Sequence, residues 1–285
     1  LTNLRQKGYE ITDNEYTNAL AAILLHDVGH GPFSHALEHT LVQNIQHETI
    51  SLLLMQQINR EWNGALDTAI AIFNDTYSKR FLHQLVSGQL DVDRLDYLRR
   101  DSFFTGVIEG NIGSERIIKM LDLKDDRLVV ESKGIYSIEN FLMSRRLMYW
   151  QVYLHKTAVA AEKMLINTLR RAKELSLDGV QLFASPSLSY FLLNEPKMID
   201  FENYGVALQH FVNLDDNDIW SALKVWSSHP DKVLSLLSSG MVNRKLFKIE
   251  VSSEQPDLKK ISEYLKSYQH KFNLSEHEAS YLCSL

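Results

Sequence analysis

Histidines are concentrated in one short segment near the start of the chain. Five of the 11 histidines lie within residues 26–47, where an even distribution along 285 residues would place fewer than one. The segment opens with His26-Asp27 and continues through His30 and His35. An imidazole nitrogen beside a carboxylate oxygen offers two ligands for a first-row metal ion, and further histidines can exchange protons near neutral pH. The segment therefore predicts a metal-dependent catalytic site.

A second group of chemically useful side chains follows at helical spacing. On a helix Asp93, Tyr97 and Asp101 would share one face, because each lies four residues after the last, and Arg94 would lie at its edge. Two carboxylates, a phenol and a guanidinium suit a metal together with the sugar and phosphate of a nucleotide. The alternative is a solvated helix with ion pairs between residues four apart, and the spacing alone favours that alternative.

A third run combines cations with aromatic rings. Arg145, Tyr149, Val152 and Lys156 fall close to one helical stripe, and the cations at its two ends could clamp phosphate oxygens. The alternative is a helix whose long cations lie over apolar neighbours. Without the other two runs, this alternative is the better interpretation.

The chain is predicted to be mainly helical, because only 12 glycines and 5 prolines interrupt long periodic stretches. Helices are expected at about residues 15–28, from 34, 47–60, 65–75, 80–87 and 91–102, with one long helix over 138–175. A small hairpin is expected to join residues 127–131 to 135–137, and a strand is expected at 245–251. The predicted fold class is therefore all-α with a small β-hairpin.

The composition of the chain limits the cellular compartment and the kinds of partner that are expected. The net charge of −6 disfavours strong binding to duplex nucleic acid. The single cysteine, Cys283, excludes an intrachain disulfide and fits a reducing compartment. No apolar run of 18 residues and no signal-peptide pattern is present. We expect a cytoplasmic protein that does not bind a membrane.

The three runs, taken in order, resemble a known family. They are similar to the motifs of HD-domain phosphohydrolases, and look most like the branch of deoxynucleoside triphosphate triphosphohydrolases. The segments that carry the resemblance are HDVGHGPFSH, then His47-Glu48, then DVDRLDY and YLHK. The resemblance covers about residues 15–175. It implies an HD-domain helical core over residues 1–175, followed by a mostly helical extension over 176–285. It also implies hydrolysis of a dNTP to deoxynucleoside and triphosphate.

The resemblance assigns roles to the first two runs. His26, Asp27 and Asp93 match the metal ligands, with Asp93 preferred to the neighbouring Asp91. His35 matches a general acid, with Glu38 one turn later to orient its ring. His30 and His47 match further histidines of the catalytic site, whereas His39 has no assigned role and His83 is expected to be structural.

The resemblance also implies a nucleotide site and a bound divalent metal ion. The residues that match substrate contacts are Arg94, Tyr97, Asp101, Arg145, Tyr149, His155 and Lys156. Among them Arg94 and Arg145 would contact phosphates, and Asp101 would accept a hydrogen bond from the 3′-hydroxyl. The metal ion could be Mg, Mn, Fe, Zn, Co or Ni. A nucleotide effector is a further expected partner, and a homo-oligomer, dimer or tetramer, is expected to use the apolar, tyrosine-rich C-terminal half.

One departure from the family pattern keeps alternatives open. The family's metal motif begins with a histidine further upstream, and none of the 25 residues before His26 is a histidine. The preferred explanation is that the chain begins inside a longer protein, and the other is a defective metal site. The alternative functions are an HD phosphodiesterase or phosphatase acting on another nucleotide, a non-catalytic nucleotide-binding regulator, and a helical interaction scaffold.

Overall fold

The structure, a computed structural model, describes residues 1–38, 40–42, 45–250, 255 and 257–283, with only the backbone described for His35. Two compact units make up the chain. Unit 1 consists of Leu1–Gly29 and Glu48–His155, and unit 2 consists of His30–His47 and Lys156–Leu285. The predicted domain boundary after residue 175 follows from the family resemblance. The two units are defined by compactness and do not test that boundary, so it stays a prediction.

Helices account for nearly all the regular structure of the described residues, as predicted. The elements are α1 (Thr2–Gln6), α2 (Asp13–Leu25), α3 (His35–Glu38), α4 (His47–Glu61), α5 (Asp67–Phe73), α6 (Arg80–Val86), α7 (Val92–Thr105), α8 (Ser114–Met120), β1 (Leu121–Lys124), β2 (Arg127–Val130), α9 (Ile135–Met148), α10 (Lys156–Leu177), α11 (Pro186–Leu193), α12 (Met198–Phe201), α13 (Val206–Val212), α14 (Asp216–Trp226), α15 (Lys232–Val242), α16 (Leu258–Phe272) and α17 (Glu276–Ser280). Across the residues the structure describes, no helix is long and apolar enough to cross a membrane.

The core of unit 1 fixes the helices that carry the first two runs. A capping box begins α2, in which the Thr12 side chain accepts the Glu15 N–H and Glu15 accepts the Thr12 N–H. α2 then packs on α5 and α6 through buried residues such as Ala22. Leu98 of α7 is fully buried in a separate cluster with Phe141. Because α7 buries this side, its opposite side is left for polar residues.

A hairpin is present, but the prediction gave the strand at 127–131 the wrong partner. β1 pairs antiparallel with β2, and the turn between them is formed by Asp125 and Asp126, both with positive φ, of 52° and 57°. Aspartate tolerates this left-handed conformation better than most residues, so the pair can serve as a two-residue turn. The predicted second strand at residues 135–137 is instead the first turn of α9.

Two further predictions of regular structure were wrong. The single helix over 138–175 is divided into α9, a π-helical segment at Tyr149–Tyr153 and α10. The division falls where the i→i+5 pattern ends, with the Leu154 N–H donating to the Tyr149 carbonyl at 2.8 Å. The expected strand at 245–251 has no regular structure over residues 245–250, and Val251 lies outside the described residues.

Unit 2 is built around α10, whose C-terminal half is buried on most sides and packs against α11 and α15. Among these buried residues is Arg171, whose side chain is only 10% exposed. Its guanidinium donates to both carboxylate oxygens of Asp231, at 2.6 and 3.2 Å, and to Glu174 at 2.7 Å. Glu278 of α17 lies 3.6 Å away. A single cation therefore connects α10, α17 and the residue that caps α15.

Candidate functional site

A potential metal site lies in unit 1 where α2 ends. His26 follows the last residue of α2, and its Nδ1–H donates to the Ile23 carbonyl at 2.7 Å. Because this bond occupies Nδ1, Nε2 is the nitrogen that can bind a metal once it has lost its proton. Nε2 lies 3.2 Å from Asp27 Oδ2 and 4.0 Å from Asp93 Oδ1. The three predicted ligands therefore present one nitrogen and two oxygens within 4.8 Å of one another.

The electrostatics of this cluster favour a cation. The hydrogen bond with Asp27 raises the pKa of His26, although burial opposes the rise. Burial also raises the pKa of Asp93, and the negative charges of Asp27 and Asp91 add to that effect. A carboxylate that is half-buried among like charges is stabilised by a divalent ion, so the donor set and its charge both fit a transition metal.

The neighbouring aspartate has a different position. The side chain of Asp91 caps α7 by accepting the Arg94 N–H at 2.8 Å. It also forms an ion pair with the Arg94 guanidinium, which donates to the Gly88 carbonyl at 2.6 Å as well. Asp91 is therefore used in building the start of α7, and the geometry supports Asp93 as the ligand. The phosphate contact of Arg94 stays a prediction.

A polar and aromatic cluster forms on the same side of α7. The Tyr153 hydroxyl donates to Asp101 Oδ2 at 2.7 Å. The Tyr153 ring meets Tyr97 and Tyr149 edge-on, with centroids 6.0 and 5.3 Å apart. Arg145 lies over the Tyr149 ring at 5.9 Å. The structure thus brings four of the predicted substrate residues together around a fifth residue, Tyr153.

Sequence reasoning did not assign Tyr153, although the YLHK motif begins with it. It is the last residue of the π-helical segment, a geometry that is frequent at functional sites. Burial and the hydrogen bond to Asp101 raise the pKa of Tyr153 far above its usual value. Its hydroxyl therefore stays protonated and remains a hydrogen-bond donor near neutral pH.

The other end of the predicted cationic stripe is not formed as expected. His155 and Lys156 are exposed and lie at the junction of the π-helical segment with α10. The helix that was predicted to carry one stripe from Arg145 to Lys156 is therefore not continuous. The phosphate contacts of His155 and Lys156 stay predictions.

A cluster of histidines in unit 2 contains the remaining catalytic candidates. The rings of His30 and His47 stack with centroids 3.8 Å apart and planes 17° apart. The His47 Nδ1–H donates to Glu38 Oε1 at 2.9 Å, and His30 Nδ1 lies 3.9 Å from the same oxygen. The predicted contact of Glu38 with the ring of His35 falls on a side chain that is not described. His39 also lies outside the described residues.

His83 belongs to neither cluster, since its Nδ1 bonds the Ile72 carbonyl at 2.9 Å within the core of unit 1. This position agrees with the structural role that the sequence predicted for it.

Comparisons with known proteins agree with these motifs. The profile of the HD-associated region family matches residues 112–184. The uncharacterized protein YwfO of Bacillus subtilis is 35% identical over 245 residues, which are 84% of this chain and 54% of that protein. The chain thus spans about half the length of that relative. A deoxynucleoside triphosphate triphosphohydrolase SAMHD1 homolog of Dictyostelium discoideum is 27% identical over 186 residues, which are 59% of this chain and 36% of that protein.

A solved structure is similar to nearly the whole chain. The crystal structure of a phosphohydrolase from Bacteroides thetaiotaomicron superposes with a TM-score of 0.95 at 64% identity. The match covers 98% of this chain and 70% of that one. Together with the His-Asp pair, the later aspartate and the helical fold, this similarity shows that the chain belongs to the HD-domain phosphohydrolase family.

Proposed function

We propose that this HD-domain protein hydrolyses deoxynucleoside triphosphates to deoxynucleoside and triphosphate. The observation that carries the proposal is the hydrogen bond from Tyr153 to Asp101, on the helix that also supplies Asp93. The name of the Dictyostelium relative supports the same substrate class. In this proposal the sugar lies at Tyr153 and Asp101, and the reacting phosphate lies at the metal ligands.

The contacts of Asp101 explain how a deoxyribose would be selected. Its Oδ2 is engaged by the Tyr153 hydroxyl, and no described residue donates to its Oδ1, which can accept a hydrogen bond from a 3′-hydroxyl. The rings of Tyr97 and Tyr153 form an adjacent wall. A ribose 2′-hydroxyl that met this wall would lose its hydrogen bonds to water, and an unpaired buried hydroxyl costs free energy.

The cleavage chemistry would be divided between a metal and side chains. His26, Asp27 and Asp93 would hold the ion. When bound, a divalent metal supplies Lewis-acid polarisation of a phosphoryl oxygen and makes a water molecule more acidic. The protein would hold Asp93 and His26 in place through α7 and the Ile23 carbonyl. Proton transfer to the leaving oxygen is proposed for His35, on the family resemblance alone.

Product analysis tests the substrate proposal. We expect dNTPs to be turned over with a kcat/KM at least about tenfold above that of rNTPs, a difference of about 1.4 kcal/mol. Anion-exchange chromatography should show intact triphosphate. Tyr153→Ala should bring the two kcat/KM values together, whereas Tyr136→Ala, an exposed tyrosine of α9, should not. Orthophosphate as the sole phosphate product, or faster turnover of ribonucleotides, monophosphates or cyclic nucleotides, would assign the chain to another HD branch.

The proposed general acid can be tested separately from the metal. We expect His35→Ala to lower kcat by about 10²–10⁴, because proton donation to the leaving oxygen is lost. The bound metal, measured by mass spectrometry of the desalted protein, should stay at the wild-type level. An unchanged kcat would transfer the role to His30 or His47.

We also propose that the chain forms a homo-oligomer. Large apolar side chains are exposed in α7 and just after it in unit 1, including Phe103, Phe104 and Ile108, each at least 78% exposed. Large apolar side chains that are exposed in this way are typical of an interface when they lie together on one surface. Sedimentation velocity is expected to give a dimer or larger, and a mass of 32.9 kDa throughout the micromolar range would contradict this.

A further inference from the structure

The loop between His30 and His35 has an unfavourable backbone conformation. Phe33 has φ of 54° and Ser34 has φ of 45°, in the left-handed region that residues other than glycine seldom occupy. Two consecutive non-glycine residues in this region persist only where surrounding contacts hold them. Within the loop, the Ser34 N–H donates to the Gly31 carbonyl at 3.0 Å. The remaining restraint must come from outside the loop.

The Ala36 and Leu37 N–H groups of α3 donate to the Phe33 and Ser34 carbonyls at 3.1 and 3.2 Å. Two further contacts come from α14, which belongs to the same unit. The Phe33 N–H donates to Asp216 Oδ1 at 3.2 Å. The Phe33 ring meets the Trp220 ring edge-on, with centroids 6.0 Å apart. Because Asp216 and Trp220 lie four residues apart on one helix, they hold the backbone and the side chain of the same residue.

Close packing beneath the loop transmits this restraint to the histidine cluster. A Cβ atom added at Gly31 would lie 2.6 Å from the Leu37 side chain and 3.1 Å from the Phe211 ring, so the backbone has little room to shift. Leu37 is itself fully buried. His30 immediately precedes this packed segment, and its ring stacks on His47.

We propose that Asp216 and Trp220 are positioning residues, which fix the 31–34 loop and thereby the stacked arrangement of His30 and His47. The expected effect on turnover rests on the proposed catalytic role of His30 and His47. The expected effect on the ring positions rests on the contacts alone. It gives the C-terminal part of the chain, more than 180 residues away in sequence, a direct part in arranging the histidine cluster.

Variants on a single helix test the proposal. Asp216→Ala and Trp220→Ala remove the two restraints, whereas Asp216→Asn and Trp220→Phe keep an acceptor and a ring edge. Asp218→Ala is the matched control, because Asp218 accepts the Asp215 N–H at 2.8 Å in the capping box of α14 and thus reports on helix stability alone.

Two measurements separate positioning from folding. We expect Asp216→Ala and Trp220→Ala to lower kcat for a dNTP about 10- to 100-fold with little change in KM, and the conservative variants to restore most of it. In the substrate-free protein, NMR shifts of the His30 and His47 ring carbons should move in both alanine variants and stay in place in Asp218→Ala. If the wild type does not hydrolyse dNTPs, the proposed substrate fails while the ring shifts still decide this inference. Ring shifts that stay unchanged in both alanine variants, or that change equally in Asp218→Ala, overturn it.

Discussion

Asp93→Ala and Asp27→Ala are each expected to remove the bound metal and, with it, nearly all hydrolytic activity. Asp93 Oδ1 and Asp27 Oδ2 are two of the three ligand atoms that the structure brings together, at 4.0 and 3.2 Å from His26 Nε2. Altering groups that merely orient a metal ligand costs about 10- to 100-fold in affinity, so loss of a ligand should cost at least that. Metal content per chain, measured after desalting, should fall from near one to near zero.

A control of the same residue type lies on the same helix. Asp96 of α7 is 64% exposed and forms an ion pair with Arg100, four residues later on the same helix. Asp96→Ala changes the charge of α7 as Asp93→Ala does, yet it removes no ligand atom, so metal content and turnover should stay close to wild type. Full metal occupancy in both Asp27→Ala and Asp93→Ala would exclude this cluster as the metal site.

Local patterns predicted those parts of the candidate site that lie within a single helix or a single turn. Asp93, Tyr97 and Asp101 share a face of α7 because four-residue spacing determines their direction on any helix. The His-Asp pair was predicted near the end of a helix over about residues 15–28, whereas α2 ends at Leu25, so that both residues directly follow it. In both cases the geometry is set by neighbours a few residues away, which a sequence displays directly.

The parts that sequence did not predict depend on distant contacts. Residues 138–175 contain neither glycine nor proline, and the segment is nevertheless divided by the π-helical turn that places Tyr153 against Asp101, 52 residues away. Similarly, Glu38 accepts a hydrogen bond from His47, nine residues away, a contact that the sequence did not predict. Tertiary packing determines such pairings, and the periodicity of the sequence does not predict them.

Arg171→Met is expected to destabilise the protein by about 3–5 kcal/mol, the usual result of removing one partner from a buried charge network. The wild-type guanidinium is 10% exposed and serves Asp231, Glu174 and, at 3.6 Å, Glu278. Methionine keeps most of the side-chain volume, so the loss of stability reports the missing charge rather than a packing defect. Without the cation, three carboxylates share a poorly hydrated site, and the contact of α17 with α10 is weakened.

The network also makes this effect depend on pH. Burial opposes ionisation of Asp231 and Glu174, but hydrogen bonds outweigh it and hold both pKa values below their ordinary range. Arg171 donates to both carboxylates, His277 and Tyr281 also bond Glu174, and the Leu234 N–H also donates to Asp231. A carboxyl with a lowered pKa contributes stability above its unfolded value and loses it as the pH falls through the folded value. The difference between wild type and Arg171→Met should therefore be largest near pH 7 and shrink below about pH 4.

Urea unfolding of both proteins at pH 7 and at pH 3.5 measures this difference, and the adjacent arginine provides the control. Arg170 is exposed on the same helix, so Arg170→Met removes an equal charge without opening the network and should change the free energy of unfolding by no more than about 0.5 kcal/mol. If the two arginine variants proved equally stable at pH 7, the carboxylates around Arg171 would have to be solvated well enough to tolerate its loss. The buried network would then contribute specificity of packing rather than stability.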